Sequence, residues 1–411
     1  MSELEFDFDT LNRILDGREI TKQDAYEIFL HSESNSEKVF KAASTLRDQN
    51  KGRIVSFSKK AFFNIVNLCR DTCSYCTYKA EIGESKLSMM NLEDVKKLAK
   101  QAKKFKCVEA LLVTGESPEQ KYDEAAKWLR KNGFSTTGEY LAHCSELILK
   151  EGLFPHTNAG NLNRAEMSEL KKTNVSMGLM LENSSQRLSE EGLPHHEAPS
   201  KDPKARIQIL KNAGQLKIPM TTGILVGIGE NDFEIIDSLF TIKMIQKQFG
   251  NIQEVILQNF EPKPDTRMKS HPSTPQQYFK RVVAMTRIIL PEMNIQIPPN
   301  LSPNNYKDFL SAGINDWGGI SPLTLDYVNP EFSWPQINTL EKKCSEDGFE
   351  LKARFPVYPE FVGLVNNQLK EQMKTISDNE SYVKGEFWRC HCKPQILIQN
   401  LNMLTQSLLE Y

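Results

Sequence analysis

Apolar and polar positions along the chain change rhythm twice. In the first fifty residues apolar side chains recur at helical spacing over Ile20–Leu30 and again over Ser36–Leu46, which predicts a helical N-terminal extension. From about residue 54 short apolar or β-branched runs alternate with longer charged, amphipathic segments. The runs predict strands at Phe62–Leu68, Glu109–Val113, Phe154–Asn158, Ser176–Leu181, Met220–Val226, Glu254–Gln258 and Ile295–Pro298, with an eighth near Gly313–Trp317. The segments between them predict helices at Asn91–Lys104, Asp123–Asn132, Arg164–Lys172, Pro203–Ala213, Asp232–Lys247 and Pro275–Ile289. Several close on a glycine, as at Asn132-Gly133 and Gly214, where helices stop. Past residue 300 the chain becomes rich in Pro, Trp and Asn (GINDWGGISPLTLDYVNPEFSWP), and long irregular stretches of this kind often carry function. The C-terminal end returns to mixed helical character.

Strands alternating with helices over this length predict an α/β protein with a parallel sheet under helices. No Gly-x-Gly-x-x-Gly follows the first strand, so a (β/α) TIM-type barrel, full or partial, is favoured over an open dinucleotide-binding sheet. The expected division is a helical extension over 1–50, a barrel over 51–325 and a packed extension over 326–411. A length of 411 residues would by itself suggest two or three domains, but one barrel with additions accounts for it. With 39% hydrophobic and 25% charged residues the chain has enough apolar material for a large core. A net charge of −2 gives no electrostatic reason to expect nucleic acid or an anionic membrane as partner. The acidic start MSELEFDFD lacks a leader pattern and no long uninterrupted apolar run occurs, so a cytoplasmic protein with no membrane contact is expected.

Eight cysteines change this picture, because three fall together as Cys69-x3-Cys73-x2-Cys76 in NLCRDTCSYCTY. That loop follows the first predicted strand, which in a barrel puts it on the catalytic face. Three thiolates there can hold one inorganic centre and leave one iron of a four-iron cluster without a protein ligand, as catalytic sites require. A structural zinc site remains an alternative, although paired Cys-x2-Cys ligands are its usual signature. The spacing resembles the radical S-adenosylmethionine (SAM) superfamily. The resemblance implies one 4Fe-4S cluster on Cys69, Cys73 and Cys76, an exchangeable SAM on the free iron, and an external one-electron donor such as ferredoxin or flavodoxin.

Further positions match the same pattern. Tyr75 stands where the superfamily packs an aromatic ring near adenine, although ordinary loop packing would equally explain it. Gly115-Glu116, ending the second strand, matches the Gly-Glu element that holds the methionyl ammonium. Glu182 falls where a polar residue meets the ribose hydroxyls, and Arg206 where relatives of biotin synthase bind the cofactor carboxylate. The string Gly223-Ile-Leu225-Val-Gly227-Ile-Gly-Glu230 fits a Gly-x-Ile-x-Gly-x-x-Glu element with Leu225 in the Ile place.

The strings SMGLMLENSSQRL, PMTTGILVGIGE, IQEVILQNFEPKP and GINDWGGISPLTLDYVNPEFSWP are similar to subunit 1 of the 7,8-didemethyl-8-hydroxy-5-deazariboflavin synthase family of coenzyme F-420 biosynthesis, over roughly residues 54–370. The resemblance implies a lyase that converts 5-amino-5-(4-hydroxybenzyl)-6-(D-ribitylimino)uracil to the deazaflavin, with release of ammonia, methionine and 5′-deoxyadenosine. It also implies a partner, a second radical SAM subunit that makes this adduct from tyrosine and 5-amino-6-(ribitylamino)uracil. The partner's own reaction, or biotin-synthase-like sulfur insertion, is the competing radical assignment for this chain. A small polar aromatic substrate needs hydrogen-bonding groups and flat apolar surface. His156, Asn158, Gln258, Asn259, Asn300, Asn315, Asp316 and Trp317 are the candidates for its site. Cys107, Cys144, Cys344, Cys390 and Cys392 are expected to be reduced structural thiols, although Cys390-His391-Cys392 also invites a metal reading.

Overall fold

The computed structural model describes residues 9–389. Nine strands form one all-parallel sheet: β1 (Ile54–Val66), β2 (Glu109–Thr114), β3 (Phe154–Asn158), β4 (Ser176–Gly178), β5 (Met220–Val226), β6 (Ile252–Asn259), β7 (Asn294–Gln296), β8 (Asp316–Ile320) and β9 (Glu350–Ala353). Each of β1 to β8 pairs with the next, and β8 returns to β1, so the barrel is complete and closed. Closure leaves no free edge among these eight strands. β9 pairs with the lower half of β1, Ile54–Phe57, below the stretch that holds β2.

Helices α1 (Asp9–Leu15), α2 (Lys22–His31) and α3 (Ser36–Lys51) precede the barrel; α4 (Leu92–Lys104), α5 (Asp123–Lys131), α6 (Thr137–Lys150), α7 (Arg164–Leu170), α8 (Pro203–Gln215), α9 (Asp232–Phe249) and α10 (Gln276–Ile289) surround it. α11 (Ile337–Glu346), α12 (Asn367–Lys374) and α13 (Gly385–Trp388) follow. Local chemistry starts many of them. Thr21, Thr136, Asn163 and Asn231 each form a capping box with an acidic residue three positions on, matching orphan N–H groups with side-chain oxygens. The sequence reading leaves α6 out. Its capping box is visible in the sequence, and Tyr140, Leu141, Cys144 and Ile148 are all buried along one face.

The N-terminal helices pack on the outside of the barrel. Buried Arg47 of α3 donates to the carbonyls of Leu310 and Ile314 at 2.9 and 3.0 Å, and α3 lies along α10. The C-terminal segment does something different: beyond β9 it turns under the barrel and closes its N-terminal end. Phe355, Val357 and Tyr358 are buried there, and the Pro356 carbonyl accepts from Gln253 Nε2 at 3.1 Å and from the Ser176 hydroxyl. No helix among the described residues is long and apolar enough to cross a membrane.

Candidate active site at the mouth of the barrel

A cavity of about 380 Å3 runs down the barrel axis, its walls set by the two-residue period of the strands. Lys60 and Phe62 on β1, Glu109, Leu111 and Val113 on β2, His156 and Asn158 on β3, and Glu254, Ile256 and Gln258 on β6 all face it. The three cysteines of the loop after β1 line its mouth. Burial pushes the Cys69 thiol up to about 11 and the Cys73 thiol up to about 12. These sulfurs therefore need a nearby positive centre to stay deprotonated near neutral pH. Among the described residues no other His, Cys, Asp or Glu joins them as a metal-holding group, and the three do not converge as a single-ion site.

The end of β2 is clamped to this loop. Gly115 N–H donates to the Val66 carbonyl at 2.7 Å, Arg70 N–H to the Glu116 carbonyl at 3.0 Å, and Glu116 N–H to the Cys69 sulfur at 3.2 Å. A side chain at residue 115 would strike the Leu68 carbonyl and stand 2.7 Å from Cys69 Cβ, so only glycine lets the loop come this close. The Glu116 carboxylate is itself placed, taking the Asn161 N–H at 2.9 Å. Gly160, absent from the sequence reading, is needed for the same reason, since a Cβ there would run into Glu116.

Glu182 stands on the opposite wall with its backbone in the left-handed region, φ +63°, a conformation uncommon for a residue other than glycine. Lys201 Nζ lies 2.5 Å from its carboxylate. Burial works against the charged form of Glu182, but Lys201 and Arg206 outweigh it and hold the carboxyl below its ordinary value. Arg206 donates to the Ser200 carbonyl at 2.9 Å and to the Met180 carbonyl, which fixes its guanidinium against the cavity wall. Tyr75 packs edge-on to His195, with its hydroxyl 3.0 Å from His195 Nε2. Burial pushes His195 down to about 3, so the ring is neutral.

The structure distributes the other expected residues unevenly. Leu225, His156, Asn158, Gln258 and Asn259 line the cavity. Gly223 and Gly227 do not: a Cβ on Gly223 would strike the Ile256 carbonyl of β6, and one on Gly227 the Thr274 hydroxyl. Their smallness serves strand and turn packing. Asn300 sits behind the wall, donating to Asp326 at 2.9 Å while its carbonyl oxygen is buried without a partner. Asn315, Asp316 and Trp317 lie away from the cavity. Asn315 accepts from Arg287 at 2.8 Å on the barrel's outer side, Trp317 donates to Cys344 at 3.3 Å, and Asp316 is paired with Arg354 beneath the lumen. The physical reason is register. β8 runs from Asp316 to Ile320, so these residues open the strand at its N-terminal end and do not close it at the mouth. The loop after β8 does reach the cavity, through Asp326, Tyr327, Val328, Asn329 and Trp334, with Trp334 stacked on Phe62 at 5.5 Å. Lys60, Glu109, Glu254, Gln296 and Arg354 also line it and were not anticipated; the period-two spacing within β2 and β6 was the available signal. Cys107, Cys144 and Cys344 are buried and take part in no disulfide, whereas Cys390 and Cys392 lie outside the described residues.

Known proteins carry the same pattern. The Radical SAM superfamily profile matches residues 63–242. The 7,8-didemethyl-8-hydroxy-5-deazariboflavin synthase of Methanopyrus kandleri is 42% identical over 334 residues, covering 80% of this chain and 100% of its own. The synthase of that name from Methanococcus maripaludis is 43% identical over 345 residues, 84% of this chain and 96% of its own. An FO synthase of Streptomyces coelicolor is 37% identical over 92% of this chain but only 46% of its own. Among solved structures, the FeFe-hydrogenase maturase HydG of Carboxydothermus hydrogenoformans superposes with a TM-score of 0.67 at 18% identity, covering 98% of this chain and 93% of its own. Methylornithine synthase (PylB) does so with 0.64 at 18%, covering 83% and 96%. Those two likenesses speak to the fold. At 42–43% identity over nearly the whole length of these two synthases, this chain belongs to the 7,8-didemethyl-8-hydroxy-5-deazariboflavin synthase family of the radical SAM superfamily.

Proposed function

We propose that this chain closes the deazaflavin ring: it takes 5-amino-5-(4-hydroxybenzyl)-6-(D-ribitylimino)uracil and SAM to the deazaflavin, ammonium, methionine and 5′-deoxyadenosine. One observation carries the reading. Cys69, Cys73 and Cys76 open into the same cavity as Glu116, Glu182 and Arg206, so soft ligands for a cluster and polar ligands for a zwitterionic cofactor face one space.

The donor set fits the group that the superfamily uses. Three soft thiols, joined by no fourth protein ligand among the described residues, suit an iron–sulfur cluster that keeps one iron open, and the Glu116 N–H offered to Cys69 favours the thiolate. When bound, the cluster and SAM supply the one-electron cleavage that generates the deoxyadenosyl radical. The chain's own residues do the rest. Glu116 would hold the cofactor's ammonium, Arg206 its carboxylate and the Glu182–Lys201 pair its ribose hydroxyls, with Tyr75 and Leu225 packing beside adenine. Phe62 and Trp334 offer a flat apolar wall to the phenol ring, and Gln258, Asn259 and Asn158 offer donors and acceptors to the pyrimidine edge. The segment 326–334 lies over the mouth and limits water, which protects a radical from quenching.

The adduct must come from elsewhere, and we assign its formation to a second radical SAM unit. The Streptomyces FO synthase supports this, since the match fills under half of that chain and leaves room for another catalytic unit. The test is anaerobic reconstitution followed by reduction with the adduct present. The expected result is about four irons per chain and a fluorescent deazaflavin formed together with 5′-deoxyadenosine. Cleavage of SAM without deazaflavin would sink the assignment, and consumption of tyrosine with ribitylaminouracil would move the chain to the partner's role. A colourless, air-stable protein with one zinc would remove radical chemistry altogether.

A further inference from the structure

We propose that the Lys60–Glu109 pair, deep in the barrel cavity, is the subsite that binds the hydroxyl-rich chain of the substrate. This rests on the substrate reading above. Lys60 and Glu109 face each other in register on β1 and β2, with Lys60 Nζ 2.8 Å from one carboxylate oxygen. Both side chains are nearly inaccessible and both line the cavity.

Two independent features mark the pair as more than a strut. The second oxygen of Glu109 is buried with no hydrogen-bond partner. The neighbouring carboxylates, Glu254 on the cavity wall and Asp316 beneath it, are matched on both oxygens: Glu254 by Arg354, Tyr358 and Thr221, and Asp316 by Arg354, Ser56 and the Gly318 N–H. A buried unmatched carboxylate oxygen is disfavoured unless something supplies a donor. The other neighbour of β1, β8, also makes room for the pair. A Cβ on Gly319 would strike the Lys60 side chain, and one on Gly318 the side chain of Gln296. The Gly-Gly of β8 thus clears space inside the barrel.

The chemistry selects a polyol. A hydroxyl can donate to the free Glu109 oxygen and accept from Lys60 with a single atom, which neither an amide N–H nor an aromatic ring can do. Ring closure bonds the nitrogen that carries the ribityl chain to a carbon of the phenol ring as the neighbouring amino group leaves, so these reacting atoms belong near the cysteine loop. The ribityl chain extends from that nitrogen and is the part free to reach down the lumen, where Glu109 stands five residues below the end of β2, or ~16 Å of strand.

The test compares the ribityl adduct with an analogue bearing a plain pentyl chain. In the wild-type enzyme, removing the hydroxyls should lower kcat/KM by about 10- to 100-fold, the usual range for hydrogen bonds to charged groups. Glu109→Gln should lower kcat/KM for the ribityl adduct by a similar factor, mainly through KM, and should cost the pentyl analogue less than about threefold. Lys60→Met/Glu109→Leu, which replaces the ion pair by apolar side chains that cores tolerate, should reverse the preference in favour of pentyl. Equal losses on both substrates, or none, would overturn the subsite. If the wild-type enzyme turns over neither compound, the ring-closing reading fails by itself. Equilibrium binding of the same two compounds to wild type and Glu109→Gln then decides the subsite: equal discrimination by both proteins rejects it, and discrimination by the wild type alone supports it.

Discussion

The floor and the mouth of the barrel lumen use their polar groups in opposite ways. At the floor Arg354 bridges Asp316 at 2.7 Å and Glu254 at 2.9 Å, while the Tyr358 hydroxyl donates to Glu254 at 2.7 Å. Buried charges there answer one another. At the mouth three thiols line the cavity, and two of the polar groups beside them are fixed chiefly by backbone, Glu116 by Asn161 N–H and Arg206 by two carbonyls, while Glu182 is paired with Lys201. Groups satisfied by opposite charges are committed to each other, and removing one partner is costly, whereas groups fixed by backbone are preorganised and still available to a ligand. Lys60 and Glu109 fall between the two patterns, paired on one oxygen and open on the other.

This contrast can be broken experimentally. At the mouth, Cys73→Ala should reduce deazaflavin formation by roughly 1,000-fold or more, an activation cost of about 4 kcal/mol, and strip the iron while leaving thermal unfolding nearly unchanged. A variant that keeps its iron and its turnover would show that the thiol is not a ligand. At the floor, Arg354→Met should leave two buried carboxylates facing each other and cost about 3–5 kcal/mol of stability in denaturant titration; a cost near zero would mean that the floor is hydrated and adaptable.

The next effect is a pH dependence. Burial pushes His156 down to about 4 from an ordinary 6.5. Its folded pKa is depressed, so the unfolded chain takes up the proton first. Stability from this group is fully present above 6.5 and falls as pH drops towards 4, by about 3 kcal/mol in all. His156→Gln should flatten that part of the stability profile, and an unchanged profile would place the acid sensitivity elsewhere. The smallest effect belongs to the clamp. Gly115→Ala should cost about 1–3 kcal/mol through overpacking against Leu68 and Cys69, accompanied by weaker iron retention. Full stability with full iron loading would show the loop to be freely movable.

Signals carried by neighbours in sequence were the ones that could be read ahead of the structure. The cysteine triplet, the Gly-Glu after β2 and the inward positions Asn158 and Gln258 all depend on spacing within one strand and its loop. The GINDWGG string carried the family resemblance but not the placing of its residues. Read as late-loop positions, Asn315, Asp316 and Trp317 would reach the mouth, but a string does not say which end of a strand it occupies, and they lie at the start of β8 on the floor side. Its glycines make room for Lys60 and Gln296, side chains from β1 and β7. Lys60 lies ahead of the first strand that the apolar pattern predicts, Phe62–Leu68, whereas β1 begins at Ile54.

By itself the sequence determined the alternation of strand and helix, the capping boxes that start the helices, and the three thiols in one loop, because each follows from spacing of a few residues. Tertiary structure alone decided that the barrel closes on itself and that a segment beyond its last strand plugs the floor. Arg354, Asp316 and Glu254 are 38 and 100 residues apart, and only closure brings their charges within reach. The same closure sets Lys60 against Glu109 and leaves one carboxylate oxygen without a partner, a consequence of geometry that no spacing along the chain encodes.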